Sequence, residues 1–420
     1  MNIPKEIYER IDQYREEMIR LQEELTSKIA LGSQNGGTGE HEKAEYLKGR
    51  LAQMNPDHLE EIQAPDPNAA HGYRPNLVAR WDGTKGGPVT WALSHMDIVP
   101  PGDITLWDGD PYRIRVEEDR IIGRGVEDNQ HGIVSSYFGL KALLDTGNRP
   151  ERPVGLIFVA DEETGSEFGL EYLLKNQADL FRSSDLIVVP DSGNEEGTMI
   201  EVAEKSMLWI KFTVLGKQCH GSTPDKGRNS LYGAARLIVA LQQVKERFGA
   251  RDDLFSPPYS TFEPTKMEAN VPNVNTIPGR DVFHLDCRIL PGYSVEEVLA
   301  HMGGIAREIS EELGLGIEIE PLYRQPATEP TSKDAPVVKA LARAIKSVTG
   351  KTAKPMGIGG GTVAAFFRRA NLPAAVWQTE SGTPHQPNEF CLISSLLTDA
   401  KIFATLYMDP LKEKVRKIRE

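Results

Sequence analysis

The sequence has few cysteines and no long apolar run. Its 420 residues include three cysteines, Cys219, Cys287 and Cys391, which lie far apart and form no CxxC pair. Neither a disulfide framework nor a thiolate zinc site is therefore expected, and small buried apolar side chains are the better interpretation. No run of about 18 apolar residues could span a membrane. The charged N-terminal segment lacks the apolar core of a signal peptide, which favours a cytoplasmic location.

The chain also has fewer basic than acidic residues. The chain has 48 Lys and Arg against 61 Asp and Glu, a formal net charge of -13 at pH 7. This balance argues against a phosphate backbone as a general partner, so we expect no nucleic acid to be bound, and the lack of a long apolar run argues against a membrane. The sequence contains no GxGxxG fingerprint and no P-loop lysine. An NAD-type or nucleotide-binding α/β enzyme is therefore disfavoured.

The chain is longer than the roughly 250 to 300 residues at which a single core stops growing, so two domains are expected. Helical patterns alternate with short apolar β-rich runs over the first 200 residues, which is typical of a mostly parallel sheet flanked by helices. After Asp191 the order becomes β-α-β-β-α-β-like. We predict an α/β fold with a catalytic domain at 1–205 and 323–420, and an inserted α+β (ferredoxin-like) lid or dimerisation domain at 206–322.

A histidine and an acid end the apolar run VTWALSHMDIV. His95 and Asp97 are two residues apart, so in a strand they point to the same side. A histidine that binds a metal commonly donates its other ring N–H to a carboxylate. A simple hydrogen bond in a turn explains most isolated HxD pairs, so this pair alone proves little.

Other acids and a second histidine follow further β-rich runs. Glu162 and Glu163 follow GLIFVAD, Asp191 follows DLIVVP, His385 lies in TESGTPHQPNE, and Asp128 lies in GRGVEDNQHG. Ligands of open α/β sheets bind outside the carboxyl ends of the strands, where these residues can converge. Carboxylates gathered without cations would repel one another. The set therefore predicts two divalent metal ions, most simply zinc, with cobalt or manganese as alternatives.

The ordered motifs HMD, GRGVEDN, DEETGS, VVPDSG, CHGSTP and GTPHQPNE carry a resemblance to a known family. They resemble those of the dinuclear zinc hydrolases that include acetylornithine deacetylase, succinyl-diaminopimelate desuccinylase, aminoacylase, glutamate carboxypeptidase and cytosolic di- and tripeptidases. The likeness extends from about residue 90 to about residue 390. The ordered set is specific, whereas each motif alone is weak.

The resemblance implies a role for each residue of the set. Glu162 is the implied general base, which takes a proton from metal-bound water and returns it to the leaving amine. Asp97 is implied to orient His95. Adjacent glutamates in a strand would point to opposite faces, so the chain must turn at Thr-Gly-Ser for both to serve one site. The implied metal ligands are His95 and Asp191 for one ion, Glu163 and His385 for the other, and Asp128 as the bridge.

The resemblance also implies roles for residues in and near the inserted domain. His220 is implied to reach the active site of a partner subunit and stabilise the oxyanion, which implies a homodimer formed through this domain. Taken without the resemblance, a lone histidine there is more simply a cap or a surface residue. Arg288 is implied to bind substrate but could equally form a structural salt bridge. The other implied substrate contacts are Asn275 and, in the run GIGGGT, Gly360, Gly361 and Thr362.

Three departures from the family pattern bear on the substrate. Asp191 stands where deacetylases and desuccinylases usually have glutamate, and aspartate there is more familiar from aminoacylase-like and peptidase branches. The loop EDNQHG lacks the usual aspartate-plus-lysine pattern, and Cys219 replaces a small residue. The departures leave the implied metal ligands intact.

The function expected from these residues is metal-dependent hydrolysis of an amide bond in N-acyl amino acids or short peptides. A dimetal-bound water would attack the bond, with Glu162 as the base. A cytosolic di- or aminopeptidase is the alternative, and it needs an acid such as Glu380 or Glu389 facing the pocket. A catalytically silent binding protein is a third hypothesis, which the presence of Glu162 and every implied ligand disfavours.

Overall fold

The computed structural model describes residues 3–410, which divide into two compact units. The first unit takes in the chain as far as Val202, Thr331–Pro355 and the chain from Thr362 onward, and the second comprises Ala203–Pro330 and Met356–Gly361. None of the described helices is both long and apolar enough to cross a membrane.

The first unit is built on a large mixed sheet with helices around it. Its strands, with β8 and β15 reaching the unit boundary, are β1 (His58–Pro65), β2 (Tyr73–Trp81), β3 (Thr90–His95), β4 (Arg115–Glu117), β5 (Arg120–Ile122), β6 (Val154–Val159), β7 (Leu186–Asn194), β8 (Met199–Glu204), β15 (Lys354–Ile358), β16 (Ala374–Thr379) and β17 (Phe390–Leu392). Its helices are α1 (Lys5–Gln13), α2 (Arg15–Ser27), α3 (His41–Ala52), α4 (Gln130–Asp145), α5 (Leu170–Asn176), α9 (Pro336–Thr349), α10 (Ala364–Arg369) and α11 (Ile393–Tyr407).

The large sheet is parallel at its centre. Its strand order is β1-β2-β6-β3-β7-β16-β8-β15, and β3 pairs in parallel with both β6 and β7, as does β16 with β7. Every residue of β3 and β6 is buried, because apolar side chains on both faces are covered. The arrangement confirms the predicted α/β class. It also brings the carboxyl ends of β3, β6, β7 and β16 to one edge.

The second unit is an antiparallel sheet with helices packed on one face. Its strands are β9 (Ser206–Leu215), β10 (Cys219–His220), β11 (Thr261–Met267), β12 (Thr276–Ile277), β13 (Arg280–Ile289) and β14 (Gly316–Gln325), and its helices are α6 (Ser230–Ala240), α7 (Gln243–Arg247) and α8 (Val295–Leu313). Four strands lie in the order β11-β13-β9-β14, and β10 pairs with β12.

Sequence pattern and caps define the elements of the second unit. Apolar residues alternate along β9, where Leu208, Ile210 and Phe212 enter a core shared with α6 and α8. Ser294 begins α8 with a capping box, and Gly314 ends it in the left-handed conformation. Both signals satisfy backbone groups that a helix end leaves unpaired. The helix is therefore defined at both ends by its sequence.

Candidate metal centre

Four parallel strands deliver the predicted ligands to one place. His95 is the last residue of β3, and Asp191 lies near the end of β7. Glu162 and Glu163 begin a 3-10 turn shortly after β6, and His385 lies in the loop that follows β16. Asp128 lies in the loop before α4, and its carboxylate is close to both His95 and His385.

Asp128 lies between the two histidines. Its Oδ1 is 2.9 Å from Nε2 of His95, and its Oδ2 is 3.2 Å from Nε2 of His385. Each histidine has a second carboxylate: Asp191 Oδ1 is 3.3 Å from His95 Nε2, and Glu163 Oε2 is 3.3 Å from His385 Nε2. One carboxylate thus faces two imidazole–carboxylate pairs, the arrangement expected of a bridging ligand.

The donor atoms fit divalent cations. Among the described residues, two sets offer ligand atoms that all lie within 4.8 Å of one another: His95 with Glu162 and Asp191, and His95 with Asp128 and Glu163. Oε1 of Glu163 is buried and has no hydrogen-bond partner in the described chain. A buried carboxylate oxygen without a donor is costly, and a cation would satisfy it. Imidazole nitrogen with carboxylate oxygen suits zinc, cobalt or manganese.

The pKa values of the cluster reflect its excess of negative charge. Burial, followed by the proximity of Asp191, raises the pKa of Glu162 well above its usual value. Burial, then Asp128, raises the pKa of Glu163 to about 7. Hydrogen bonds to Asp128 and Glu163 raise the pKa of His385 to about 10. Carboxylates that hold protons this strongly are those that a divalent cation would neutralise instead.

Asp97 holds both His95 and the glutamate turn. The Nδ1 of His95 lies 3.0 Å from the backbone carbonyl of Asp97, a hydrogen bond in which the ring donates, and 3.4 Å from the Asp97 carboxylate. That carboxylate accepts the backbone N–H groups of Glu162 and Glu163 at 3.1 and 3.0 Å. Asp97 therefore orients the histidine chiefly through its main chain. Its side chain fixes the turn that lets adjacent glutamates serve one site.

A buried ion pair supports this turn from behind. Glu40 and Arg74 are buried and form two hydrogen bonds through their side chains, and the Glu40 carboxylate also accepts the N–H of Asp161 at 3.3 Å. Asp161 has a left-handed backbone, with φ of 64°. Its own carboxylate accepts a hydrogen bond from Thr164 and the N–H of Phe168.

Four further residues around the site were missed by sequence reasoning or left without a role. Asn129 donates to Asp191 Oδ1 at 2.7 Å and accepts the N–H of His95. Glu380 accepts the N–H of Gly193 at 2.8 Å. Glu127 and Glu389 are buried and bind backbone N–H groups of the loops around them. Their only sequence signal is position: all four adjoin Asp128 or lie within five residues of His385.

The predicted residues of the second unit form two groups. His220 is exposed, its Nδ1 lies 2.8 Å from the Ser222 hydroxyl, and β10 places it beside Asn275, whose carbonyl accepts the N–H of Gly221. The guanidinium of Arg288 makes two hydrogen bonds to Asp286 and one to the carbonyl of Gly359. Arg288 thus forms a salt bridge, which is one of the two roles that the sequence allowed for it.

The glycine run is divided between the two units. Gly360 and Gly361 belong to the second unit, where a Cβ on Gly361 would lie 2.8 Å from the Gln325 side chain. Thr362 opens the next segment of the first unit, and its hydroxyl accepts the N–H of Ala364 at 3.2 Å, at the start of α10.

Comparison with known proteins is consistent with this site. Residues 92–409 match the model of peptidase family M20/M25/M40. An uncharacterized metallohydrolase of Methanococcus maripaludis is 41% identical over 416 residues, which cover 94% of this chain and 99% of that one. Succinyl-diaminopimelate desuccinylase 1 of Alteromonas mediterranea is 25% identical over 79% of this chain and 84% of its own.

Solved structures share the fold at low identity. The dipeptidase Dug1p of Saccharomyces cerevisiae superposes with a TM-score of 0.74 at 14% identity, covering 97% of this chain and 99% of that one. The fold, the histidine and carboxylate cluster and the family match over most of the chain agree with one another. The chain therefore belongs to peptidase family M20/M25/M40 and is a metallohydrolase.

Proposed function

We propose that the protein hydrolyses an amide bond in N-acyl amino acids or short peptides, with two divalent metal ions and zinc as the preferred metal. The observation that carries this proposal is Asp128, whose two oxygens face His95 and His385 separately. Asp191 completes the first set of donors and Glu163 the second. Bound at these residues, the cations would lower the pKa of a water and polarise the scissile carbonyl.

Glu162 is the proposed general base. Its carboxylate makes no hydrogen bond or ion pair within residues 3–410, whereas Glu163 lies against His385. The hydrogen bond to Asp97 fixes the backbone of Glu162, whereas the Glu162 carboxylate has no such contact. A carboxylate of raised pKa in this position can accept a proton from water and deliver it to the leaving amine. This division assigns proton transfer to Glu162 and metal binding to Glu163.

The alternative function, a di- or aminopeptidase, can be examined through the two acids proposed for it. Such an enzyme needs an acid that receives the free amino group of the substrate. Glu389 is buried, and its two oxygens already accept four hydrogen bonds. Glu380 is half-buried and accepts one, from Gly193. Glu380 is therefore the better candidate of the two acids.

A homodimer through the inserted domain belongs to the same proposal. In the second unit, α6 exposes Leu231, Tyr232 and Val239, the last with 70% of its surface accessible. Exposed apolar side chains on one helix suit a contact with a second copy. His220 is exposed in the same unit, as a residue that serves a partner subunit would be. Light scattering would detect a mass of twice 46.5 kDa, and a strictly monomeric protein would exclude this part.

The experiment that tests the function measures amine release by the zinc- or cobalt-loaded protein. The substrates are N-acetyl amino acids, N-succinyl amino acids and dipeptides, each with and without a chelator. We expect turnover that the chelator abolishes and added metal restores. A preference for blocked amino termini would identify a deacylase, and a preference for dipeptides a peptidase. Turnover that survives complete metal removal would refute the proposal.

A further inference from the structure

Two buried glutamates lie on the two loops that carry the proposed ligands Asp128 and His385. Each glutamate accepts hydrogen bonds from the backbone of the other loop. Glu127 immediately precedes Asp128 in the loop before α4, and Glu389 follows His385 by four residues in the loop after β16. Both side chains are fully buried. We call them the exchanged glutamates, because each reaches across to the backbone of the other loop.

Glu389 binds the backbone around Asp128. Its Oε1 accepts the N–H groups of Glu127 at 2.9 Å and of Asp128 at 3.1 Å. Its Oε2 accepts the N–H of Gly125 at 3.1 Å and the guanidinium of Arg124 at 2.6 Å. A carboxylate with four donors is fully satisfied, so it has one stable position. That position fixes the main chain from which the Asp128 side chain extends.

Glu127 binds the backbone before His385. Its Oε1 accepts the N–H of Ser381, and its Oε2 accepts the N–H of Thr383 at 2.9 Å and the Thr383 hydroxyl at 2.7 Å. The His385 side chain is 55% exposed, so packing alone does not hold the ring. Its backbone is also in the left-handed region, with φ of 64°, which surrounding structure must stabilise. The hydrogen bonds to Glu127 are well placed to supply that support.

We propose that the exchanged glutamates are positioning residues that control the two cation sites unequally. Glu127 supports the loop of His385 and therefore one site, whereas Glu389 supports Asp128, which both sites share. The inference rests on the proposed function, in particular on Asp128 as the bridge. It predicts a selective loss of one cation in one variant and a loss of both in the other.

The test measures zinc binding to the full chain by isothermal titration calorimetry, with cobalt absorbance as a second readout of each site. Of the two zinc-binding events, Glu127→Gln should weaken the affinity of one by about 10- to 100-fold, the range for residues that orient metal ligands, and leave the other unchanged. Glu389→Gln should weaken both events. Glu167→Gln, at an exposed position four residues after Glu163, is the matched control and should bind as the wild type does.

A milder variant keeps the test valid if the glutamine variants fold poorly. Thr383→Val removes one of the three donors to Glu127 and should weaken the same single event as Glu127→Gln, by a smaller factor. Circular dichroism verifies folding in each case. Unchanged binding, or equal weakening of both events by Glu127→Gln and Thr383→Val, would overturn the inference. Wild-type protein that binds fewer than two zinc ions would instead overturn the two-metal proposal.

Discussion

At the scale of single residues, the site depends on which carboxylate oxygen faces which partner. Asp128 divides its two oxygens between His95 and His385. Glu163 lies against His385, while the Glu162 carboxylate makes no hydrogen bond or ion pair among the described residues. Adjacent glutamates can differ in this way because Asp97 accepts both of their backbone N–H groups and holds the turn.

Replacement of Glu162 by glutamine tests this division of roles. Glu162→Gln keeps the shape of the side chain but removes the proton acceptor, and no described contact of Glu163 or Asp128 is lost. We expect turnover to fall at least about 100-fold, within the range for general base catalysis, with metal content unchanged. Steady-state rates and metal analysis, with Glu167→Gln as the control, measure both. A variant with near-normal turnover would remove Glu162 from the proposed mechanism.

The sequence predicts the ligands better than the residues that hold them. The proposed ligands stand in short, ordered motifs, and all of them except Asp128 end or follow strands of the large sheet, so both topology and resemblance indicate them: His95, Asp128, Glu163, Asp191 and His385. The exchanged glutamates stand in two of the same motifs, GRGVEDN and GTPHQPNE, but the motifs do not indicate their role, because Glu389 and Glu127 are 262 residues apart in the chain. Their acceptor role depends on which backbone N–H groups a loop leaves unpaired. That information exists only once the loops are folded.

At the scale of elements, the centre depends on strands whose ends lie side by side. The parallel pairing of β3 with β6 and β7 follows from apolar runs that must be buried on both faces. Those runs were evident in the sequence, as were the helical patterns between them, one of which is α4 at Gln130–Asp145. The close approach of α4 to α11 was not evident. It depends on Gly139, which from helix propensity alone would be counted only as unfavourable in a helix.

Gly139 is where α4 meets α11. A Cβ at this position would lie 2.7 Å from the carbonyl oxygen of Ala400 and 2.9 Å from the Cβ of Phe403. Gly139→Ala should therefore destabilise the fold by about 1 to 3 kcal/mol, as overpacking does. Urea unfolding measures the change.

The matched control for this substitution lies in another helix. Gly49 is exposed in α3 and has nothing within 4 Å of an added Cβ. Gly49→Ala should stabilise the protein by roughly 0.5 to 1 kcal/mol through helix propensity. If Gly139→Ala raised the stability as much as the control does, the close contact between α4 and α11 would not constrain the fold.

At the scale of the whole molecule, the chain combines an α/β unit that contains the candidate metal centre with a second, α+β unit. Length and the change of pattern after Asp191 predicted two domains. Arg288 illustrates what pattern alone could not decide, since its salt bridge to Asp286, two residues earlier on the same strand, is one of the two roles that the sequence left open. The ordered motifs indicated the family, to which the match over residues 92–409 assigns the chain.

The most direct test of the account counts zinc ions per chain and follows amine release as a chelator removes them. Native mass spectrometry gives the count, and the same samples are assayed on an accepted substrate. We expect two zinc ions per chain, turnover that falls as they are removed, and recovery when zinc is returned. A chain that holds no zinc, or that keeps full turnover after both ions are gone, would contradict the assignment of His95, Asp128 and His385 to a catalytic metal centre.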